Sequence, residues 1–241
     1  RSASNTVLGG DDKAGITAIL EALFHLEEEK IPHPELYLLF TICEEAGMLG
    51  AKNLDLSAIR ARELVVLDSS GDVGTIIVRS PSKADLNMTF HGVSAHAGIE
   101  PDKGINAIQL AARAVGGMRL LRIDDETVAN LGRIEGGGPT NIVPDCVTLT
   151  GEARSQTTRK LMAQIEHMRQ CCVKAVQELG GSFDFSHEIS YPAMNVPVDS
   201  MLLHRTLHAC NDLNLTAAVK GTGGGSDANI FAGQGMSCIN L

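Results

Sequence analysis

Two short runs of apolar residues constrain the fold of this chain more than any other feature. Residues 36–40 and 64–67 are each about as long as a β-strand, and every residue in them is apolar or aromatic. A strand with one exposed face alternates between apolar and polar residues, so an unbroken run predicts a strand that is covered on both faces. Apolar residues also recur at helical spacing between positions 16 and 26. The first third of the chain therefore predicts an α/β layer, with helices packed on a sheet.

The pattern changes near residue 81. Leu86, Met88 and Phe90 alternate with polar residues, which predicts a strand with one exposed face. The segments that follow predict helix, strand, strand, helix and strand at about residues 104–121, 127–134, 146–153, 161–179 and 183–186. This order of elements is typical of a separate α+β unit.

After Tyr191 and Pro192 the chain returns to its earlier character, with a helix predicted over 200–211 and an apolar strand at the C-terminus. We therefore predict an α/β domain formed by residues 1–80 and 193–241. An α+β domain at residues 81–192 is inserted into it.

Composition and charge argue against several classes of protein. The net charge is −9 and no basic stripe is present, which argues against a nucleic-acid partner. No apolar run approaches the roughly 20 residues that span a bilayer, and residues 1–5 are not followed by the apolar stretch of a signal peptide. The six cysteines show neither CxxC nor a disulfide-framework spacing. We therefore expect reduced thiols and a cytoplasmic protein.

Asp11 and Asp12 stand in a glycine-rich segment at the predicted start of the first helix. One interpretation is an ordinary helix start, in which one aspartate caps the helix and the other interacts with its dipole. The alternative is a metal site, because glycines let the backbone bring carboxylates close to an ion.

Further acids follow the two apolar runs. Glu44 and Glu45 come after the first run, and Asp68 ends the second. Acids at strand ends are commonplace on protein surfaces. However, α/β sheets build their sites at the carboxyl ends of central strands. We expect three acidic positions at one edge of the sheet, namely Asp11, the Glu44–Glu45 pair and Asp68. This coincidence favours a metal site.

The inserted domain offers weaker candidates. His96 lies among small residues at 94–98, so it is either a structural histidine or one with an accessible ring. We interpret the glycine-rich segment 136–144 as a tight loop. Glu152 and Arg154 read as a solvated ion pair at a strand end.

Two other features have a plain interpretation. The glycine-rich segment 223–227 lacks the lysine and the spacing of a P-loop. His204 and His208 are four residues apart on one predicted helix face, but the glutamate of HExxH is missing, so we interpret them as surface histidines.

Taken together, these segments resemble the dizinc peptidase and aminoacylase family, and within it the peptidase T branch. The resemblance runs along nearly the whole chain and is carried by residues 8–15, 40–45, 94–104 and 141–144. Each motif is short, but their order and spacing together are specific. The resemblance implies a zinc-peptidase-type mixed sheet flanked by helices, with an inserted α+β domain that acts as a lid and dimerises.

The resemblance also implies roles for the acids and the histidine. Asp11 matches the carboxylate that bridges two zinc ions, Glu45 a ligand of one ion, and Asp68 a ligand of the other. Glu44 matches the general base. His96 matches the residue that reaches a neighbouring subunit's site and stabilises the oxyanion.

The remaining matched residues imply contacts with substrate. Asn141 and Arg154 match lid residues that hold a carboxylate or a carbonyl group. Gly224, Gly225 and Ser226 match a loop that faces the substrate.

The activity that this resemblance implies is an aminopeptidase for short peptides, similar to a tripeptidase, with two zinc ions or with manganese or cobalt in their place. The implied assembly is a homodimer through the inserted domain. A deacylase of N-acyl amino acids on the same fold and a non-catalytic dimerising relative are the alternatives. The intact acids at Asp11, Glu44, Glu45 and Asp68 argue against the last of these.

The chain departs from the family pattern in its histidines. The family takes one ligand from an HxD motif upstream of the Asp11 segment and another from near the C-terminus, and neither is present in these 241 residues. We therefore expect a longer enzyme of which this chain is a part. We also expect that the 241 residues alone bind zinc weakly and hydrolyse no peptide.

Overall fold

The computed structural model describes residues 9–241 together with Ala3, Asn5 and Thr6. Leu8, which begins the first family motif, lies outside the described residues, as do Arg1, Ser2, Ser4 and Val7. The chain divides into two compact units. Unit 1 comprises Arg1–Ser80 and Met194–Leu241, and unit 2 comprises Pro81–Ala193.

The described part of the chain contains helices of very different length. In chain order they are α1 Lys13–Glu28, α2 Leu49–Asn53, α3 Ala107–Gly117, α4 Thr158–Leu179, α5 Met201–Asp212 and α6 Asp227–Gly233. Within residues 9–241, none of these helices combines the length and the apolar character needed to cross a membrane.

The strands are short in unit 1 and mostly ten residues long in unit 2. They are β1 Glu63–Val66, β2 Thr75–Ser80, β3 Ser82–His91, β4 Leu121–Arg122, β5 Thr127–Gly136, β6 Cys146–Ser155, β7 Ser182–Tyr191, β8 Met194–Asn195, β9 Ala218–Gly221 and β10 Ser237–Asn240.

Unit 1 is built on a mixed sheet. β10 pairs in parallel with β1 and antiparallel with β2, while β2 pairs in parallel with β9 and antiparallel with β8. Ile76 of β2 and Ile239 of β10 are fully buried and pack against Leu202 and Leu203 of α5. The predicted α/β class, a mixed sheet with flanking helices, is confirmed.

Residues 36–40 do not form a strand of this sheet, so the prediction of a central strand there is wrong. In residues 9–241 no segment pairs with this run, and Leu36 and Phe40 are 45% and 53% exposed. A strand exists through hydrogen bonds to a neighbour, and an apolar run without such a neighbour remains irregular. The second run does form β1, but only Leu64 and Val66 are half-buried there. The prediction of two covered faces is therefore also wrong for β1.

Unit 2 is an antiparallel sheet in the order β4-β5-β6-β3-β7. Residues 82–91 of β3 pair along their whole length with β6 on one side, and residues 83–91 pair with β7 on the other. Leu86, Met88 and Phe90 point to one face, as the alternation predicts, and are at most 1% exposed. They form one core with residues of α3 and α4. The predicted α+β character of this segment is confirmed.

The predicted boundaries of unit 2 differ from the observed ones for local reasons. The helix expected from residue 104 begins at Ala107, because the Asn106 side chain accepts hydrogen bonds from the N–H groups of Ile108 and Gln109 and so caps α3. The strand expected at 183–186 extends over Ser182–Tyr191, because β3 offers it a partner along its full length.

Candidate metal centre and active site

At the start of α1, Asp11 and Asp12 have different roles. The Asp12 side chain accepts a hydrogen bond of 3.0 Å from the N–H of Gly15 and caps the helix. Gly15 is required here, because a Cβ would lie 2.6 Å from the carbonyl oxygen of Leu67. The exposed carboxylate of Asp11 is not used by the cap and lines the adjacent cavity.

Glu44 and Glu45 lie in a tight turn that leads into α2. The carbonyl oxygen of Glu44 accepts hydrogen bonds from the N–H groups of Gly47 and Met48, at 2.9 and 2.7 Å. The turn leaves the side chain of Glu44 half-buried and that of Glu45 exposed. Both glutamates line the same cavity as Asp11.

Asp68 follows β1 and is held by a residue that sequence reasoning missed. The side-chain oxygen of Asn240 accepts from the Asp68 N–H at 2.9 Å, and its amide group donates to the Asp68 carbonyl at 3.0 Å. The same amide lies 3.2 Å from the hydroxyl of Ser226. Asn240 is 5% exposed, so this pairing fixes the Asp68 backbone from inside the unit.

Asp227 is a second residue that sequence reasoning missed. It is the first residue of α6 and only 7% exposed. Its Oδ2 accepts from the Thr41 hydroxyl at 2.5 Å, while the buried Oδ1 has no hydrogen-bond partner in the described part of the chain. The one signal in the sequence was an acid at the end of the glycine-rich segment 223–227.

Six carboxylates line one cavity of about 340 Å³ in unit 1, namely Asp11, Asp12, Glu44, Glu45, Asp68 and Asp227. Burial first, and then neighbouring negative charges led by Asp68, raise the pKa of Glu44 to about 7. Burial, followed by charges led by Asp11, raises the pKa of Asp68 to about 6. At both residues the neighbouring carboxylates thus act in the same direction as burial.

The chemistry of these donors fits a bound cation, because no lysine, arginine or histidine of the described part of the chain lines this cavity. Carboxylate oxygens suit hard divalent ions. Among the described residues, however, no group of three or more His, Cys, Asp or Glu side chains has the spacing to hold a metal ion. The site thus supplies charge and carboxylate donors without a complete coordination sphere from residues 9–241.

In unit 2 the structure brings His96 and Asn141 together. His96 and Ile142 form an isolated antiparallel bridge, and the N–H of Ala97 donates to the carbonyl of Asn141 at 2.9 Å. The exposed His96 ring accepts a hydrogen bond at Nδ1 from the Gly98 N–H, at 3.2 Å. The proton of the neutral ring is then on Nε2, which leaves Nε2 as a donor.

Arg154 is not part of that cluster. It lies near the end of β6 opposite to Cys146, whereas the His96 loop contacts the chain just before Cys146 through the hydrogen bond from Gly92 to Asp145. Eight residues of extended strand separate the two ends by about 27 Å. The guanidinium of Arg154 binds the Glu152 carboxylate at 2.8 Å, as the sequence led us to expect of this pair.

The loop before α6 is shaped by buried polar contacts. Ser226 and Asn229 form a reciprocal capping box at the start of α6. The Ser80 hydroxyl donates to the carbonyl of Gly224 at 2.7 Å. Gly224, Gly225 and Ser226 line a polar cavity that also contains Asp68.

His204 and His208 make local contacts on α5. The ring of His204 lies 3.0 Å from the Val198 carbonyl, and that of His208 lies 2.9 Å from the Asp212 carboxylate. Both side chains are on the exposed face of the helix.

Comparisons with known proteins agree with the resemblance that the motifs carry. Residues 80–178 match the peptidase dimerisation domain of M20 type, and residues 7–79 match the M42 glutamyl aminopeptidase family. The Bacillus subtilis protein YqjE is 42% identical over 236 residues, which cover 98% of this chain and 64% of YqjE.

Two solved structures are similar over the whole chain. The aminopeptidase PepT of Bacillus cereus has a TM-score of 0.93 and 41% identity, and a tripeptidase of Staphylococcus aureus has a TM-score of 0.95 and 36% identity. In each case the match covers 100% of this chain and 64% of the other. The chain thus spans about two thirds of the length of these relatives, and the resemblance to the peptidase T branch is confirmed.

Proposed function

The chain is a relative of the PepT-type aminopeptidases and carries an M20-type peptidase dimerisation domain, and from this premise we propose that the complete protein is a metal-dependent hydrolase of short peptides. The observation that carries the proposal is the cavity of unit 1. Six carboxylates line it with no basic side chain beside them among the described residues, and one of them, Glu44, is half-buried with a pKa raised to about 7. A general base for chemistry near neutral pH needs such a pKa.

The residues proposed to hold two zinc ions are Asp11, Glu45 and Asp68, and Asp11 would contribute to both. Zinc is the preferred ion by resemblance, and manganese or cobalt would also suit the donors. When bound, the ions would polarise the scissile carbonyl and make water a better nucleophile. The pairing of Asn240 with the backbone of Asp68 would hold this ligand in place.

Glu44 is the proposed general base. Its carboxylate would take a proton from the attacking water and later deliver it to the leaving amine. The turn that begins at its carbonyl fixes the backbone at this point, so that the carboxylate stays at the cavity wall.

His96 and Asn141 are proposed to act on a partner subunit's site in a homodimer. The Nε2 proton of His96 would donate to the oxygen that becomes negative as the amide is attacked. Arg154 is separated from them along β6, which supports its assignment to a different active site of the dimer than the one served by His96. Arg154 and Asn141 would bind a carboxylate or carbonyl of the peptide, and the loop Gly224, Gly225 and Ser226 would line its path.

We place the protein in the cytoplasm. The support comes from the cysteines, which are free thiols in the structure, with Cys171, Cys172, Cys210 and Cys238 buried in the two units.

A substrate panel tests the proposed activity. The complete protein, with zinc, manganese or cobalt added in turn, is offered tripeptides with a free amino end, the same tripeptides acetylated at that end, and N-acyl amino acids. We expect hydrolysis of the free tripeptides and no activity after removal of metal by a chelator. Faster hydrolysis of N-acyl amino acids would assign the protein to the deacylases instead, and no hydrolysis of any substrate would reject an enzymatic role.

A further inference from the structure

A second cavity of unit 1, with a volume of about 310 Å³, shares Asp68 with the acidic cavity. Six of its fourteen lining residues carry a hydroxyl group, namely Ser69, Ser70, Thr75, Ser80, Thr222 and Ser226. Lys220 of β9 lines this cavity as well. The proposed function assigns no role to this lysine.

The sheet places Lys220 in a defined row with the residues around Asp68. Ile77 of β2 pairs with Lys220 on one side and with Asn240 of β10 on the other. Paired residues on neighbouring strands present their side chains on the same face, and all three line the cavity. Asn240 in turn binds the backbone of Asp68. The row therefore runs from the proposed metal ligand to the lysine.

Lys220 has no charged partner in the part of the chain that the structure describes. Its side chain is exposed and makes no ion pair or hydrogen bond with residues 9–241. The backbone N–H of Gly225, which lines the same cavity, likewise has no acceptor among those residues. A cationic side chain and a free backbone donor in one concave, hydroxyl-lined wall are suited to a carboxylate.

The spacing of the sheet gives the distance over which such a carboxylate could be held. From β1, which ends just before Asp68, to β9 there are three inter-strand spacings, or about 14 Å. The side chain of a lysine covers part of this span, and an extended peptide covers roughly 3.4 Å per residue. The part of this span that the lysine does not cover corresponds to two or three residues of an extended peptide.

We propose that Lys220 binds the C-terminal carboxylate of the peptide substrate, so that a carbonyl group remains for Asn141 and Arg154, and that Lys220 thereby restricts the enzyme to short peptides with a free carboxyl end. This inference rests on the proposed peptide hydrolysis. The lysine is a specificity-determining residue in this account, because it would contact the end of the substrate and not the amide that is broken.

The experiment compares a tripeptide with its C-terminal amide on the complete metal-loaded protein. Wild type should show a KM for the free acid that is lower than for the amide by about 10-fold or more, the range of a hydrogen bond to a charged group. Lys220→Met should raise the KM for the acid to that of the amide, with kcat and the amide kinetics little changed. Lys220→Arg should keep most of the preference.

Lys52→Met is the matched control, because Lys52 is an exposed lysine of α2 that lines neither cavity. It should behave as wild type. Equal KM values for acid and amide in wild type, or a preference that survives in Lys220→Met, would overturn the role of Lys220 while leaving peptide hydrolysis intact. Absence of hydrolysis in wild type would reject the proposed function, and with it this inference.

Discussion

At the residue scale, the clustered carboxylates of unit 1 make the folded protein less stable. Glu44 and Asp68 are both half-buried among other carboxylates, and each binds its proton more tightly than an exposed acid. Half-buried carboxylates so close together destabilise the folded protein unless a positive charge lies beside them. Groups with this property are found most often at functional sites.

These raised pKa values predict how the stability of the metal-free protein depends on pH. The pKa of Glu44 rises from 4.5 to about 7 and that of Asp68 from 3.8 to about 6. Between about pH 4 and pH 7 the folded state therefore holds protons that the unfolded state has released. Stability from these groups is present at low pH and is lost as the pH rises through 7.

The measurement is thermal unfolding of the metal-free protein at pH 5.5 and pH 8, compared with the double variant Glu44→Gln/Asp68→Asn. The wild-type protein should lose more Tm than the variant between pH 5.5 and pH 8. An identical pH dependence in the two proteins would contradict the electrostatic account.

The candidate acids were accessible to sequence reasoning because each follows an apolar run or a glycine-rich turn. Asp11, Glu44, Glu45 and Asp68 stand out for that reason. Asn240 and Asp227 did not, since their importance comes from partners 172 and 186 residues away, Asp68 and Thr41. No local pattern encodes such a contact, although the buried polar groups are held by it.

At the element scale, alternation was a more reliable guide than an unbroken apolar run. The strands of unit 2 pair with one another, and the alternating residues of β3 point into one core as predicted, where they meet residues of β6. Residues 36–40 have a stronger apolar pattern but no neighbouring strand among residues 9–241. The apolar pattern therefore predicts which side chains of a segment can be buried, whereas pairing with a neighbouring strand determines whether the segment becomes a strand.

The core of unit 2 should depend strongly on Leu149 of β6, which is 1% exposed. Leu149→Ala should lower the free energy of unfolding by about 2–5 kcal/mol, because it removes buried surface and leaves a cavity. Ile134→Ala on the neighbouring strand is the control, since Ile134 pairs with Leu149 but is 61% exposed. Urea unfolding checks both variants, and equal losses would show that the burial of Leu149 is misplaced.

At the scale of the whole molecule, the candidate residues fall into two units of different kind. The acids and the loop at 224–226 belong to unit 1, and His96, Asn141 and Arg154 belong to unit 2. An M20-type dimerisation domain matches unit 2 over most of its length. A dimer in which unit 2 of one subunit completes the site of the other is the assembly that this division supports.

Mixing two inactive variants tests that assembly. In the proposed homodimer each site combines Glu44 of one subunit with His96 of the other. In a mixed dimer of His96→Ala and Glu44→Gln subunits both changes therefore fall on the same site, and the other site keeps both groups intact. Exchange of the two variants should restore a measurable part of the wild-type turnover. Mixing His96→Ala with the double variant His96→Ala/Glu44→Gln is the control, in which no site is intact. Failure to recover activity after verified subunit exchange would rule out a shared site.

The central claim is that the carboxylates of unit 1 hold a catalytic metal and that Glu44 moves protons beside it without binding it. Measuring metal content and tripeptide turnover together in Glu44→Gln and in Asp68→Asn of the complete protein tests this most directly. Glu44→Gln should keep its metal and lose turnover by a factor on the order of 10² or more, whereas Asp68→Asn should lose both. If Glu44→Gln loses its metal along with its activity, or keeps both, the assignment of the site is contradicted.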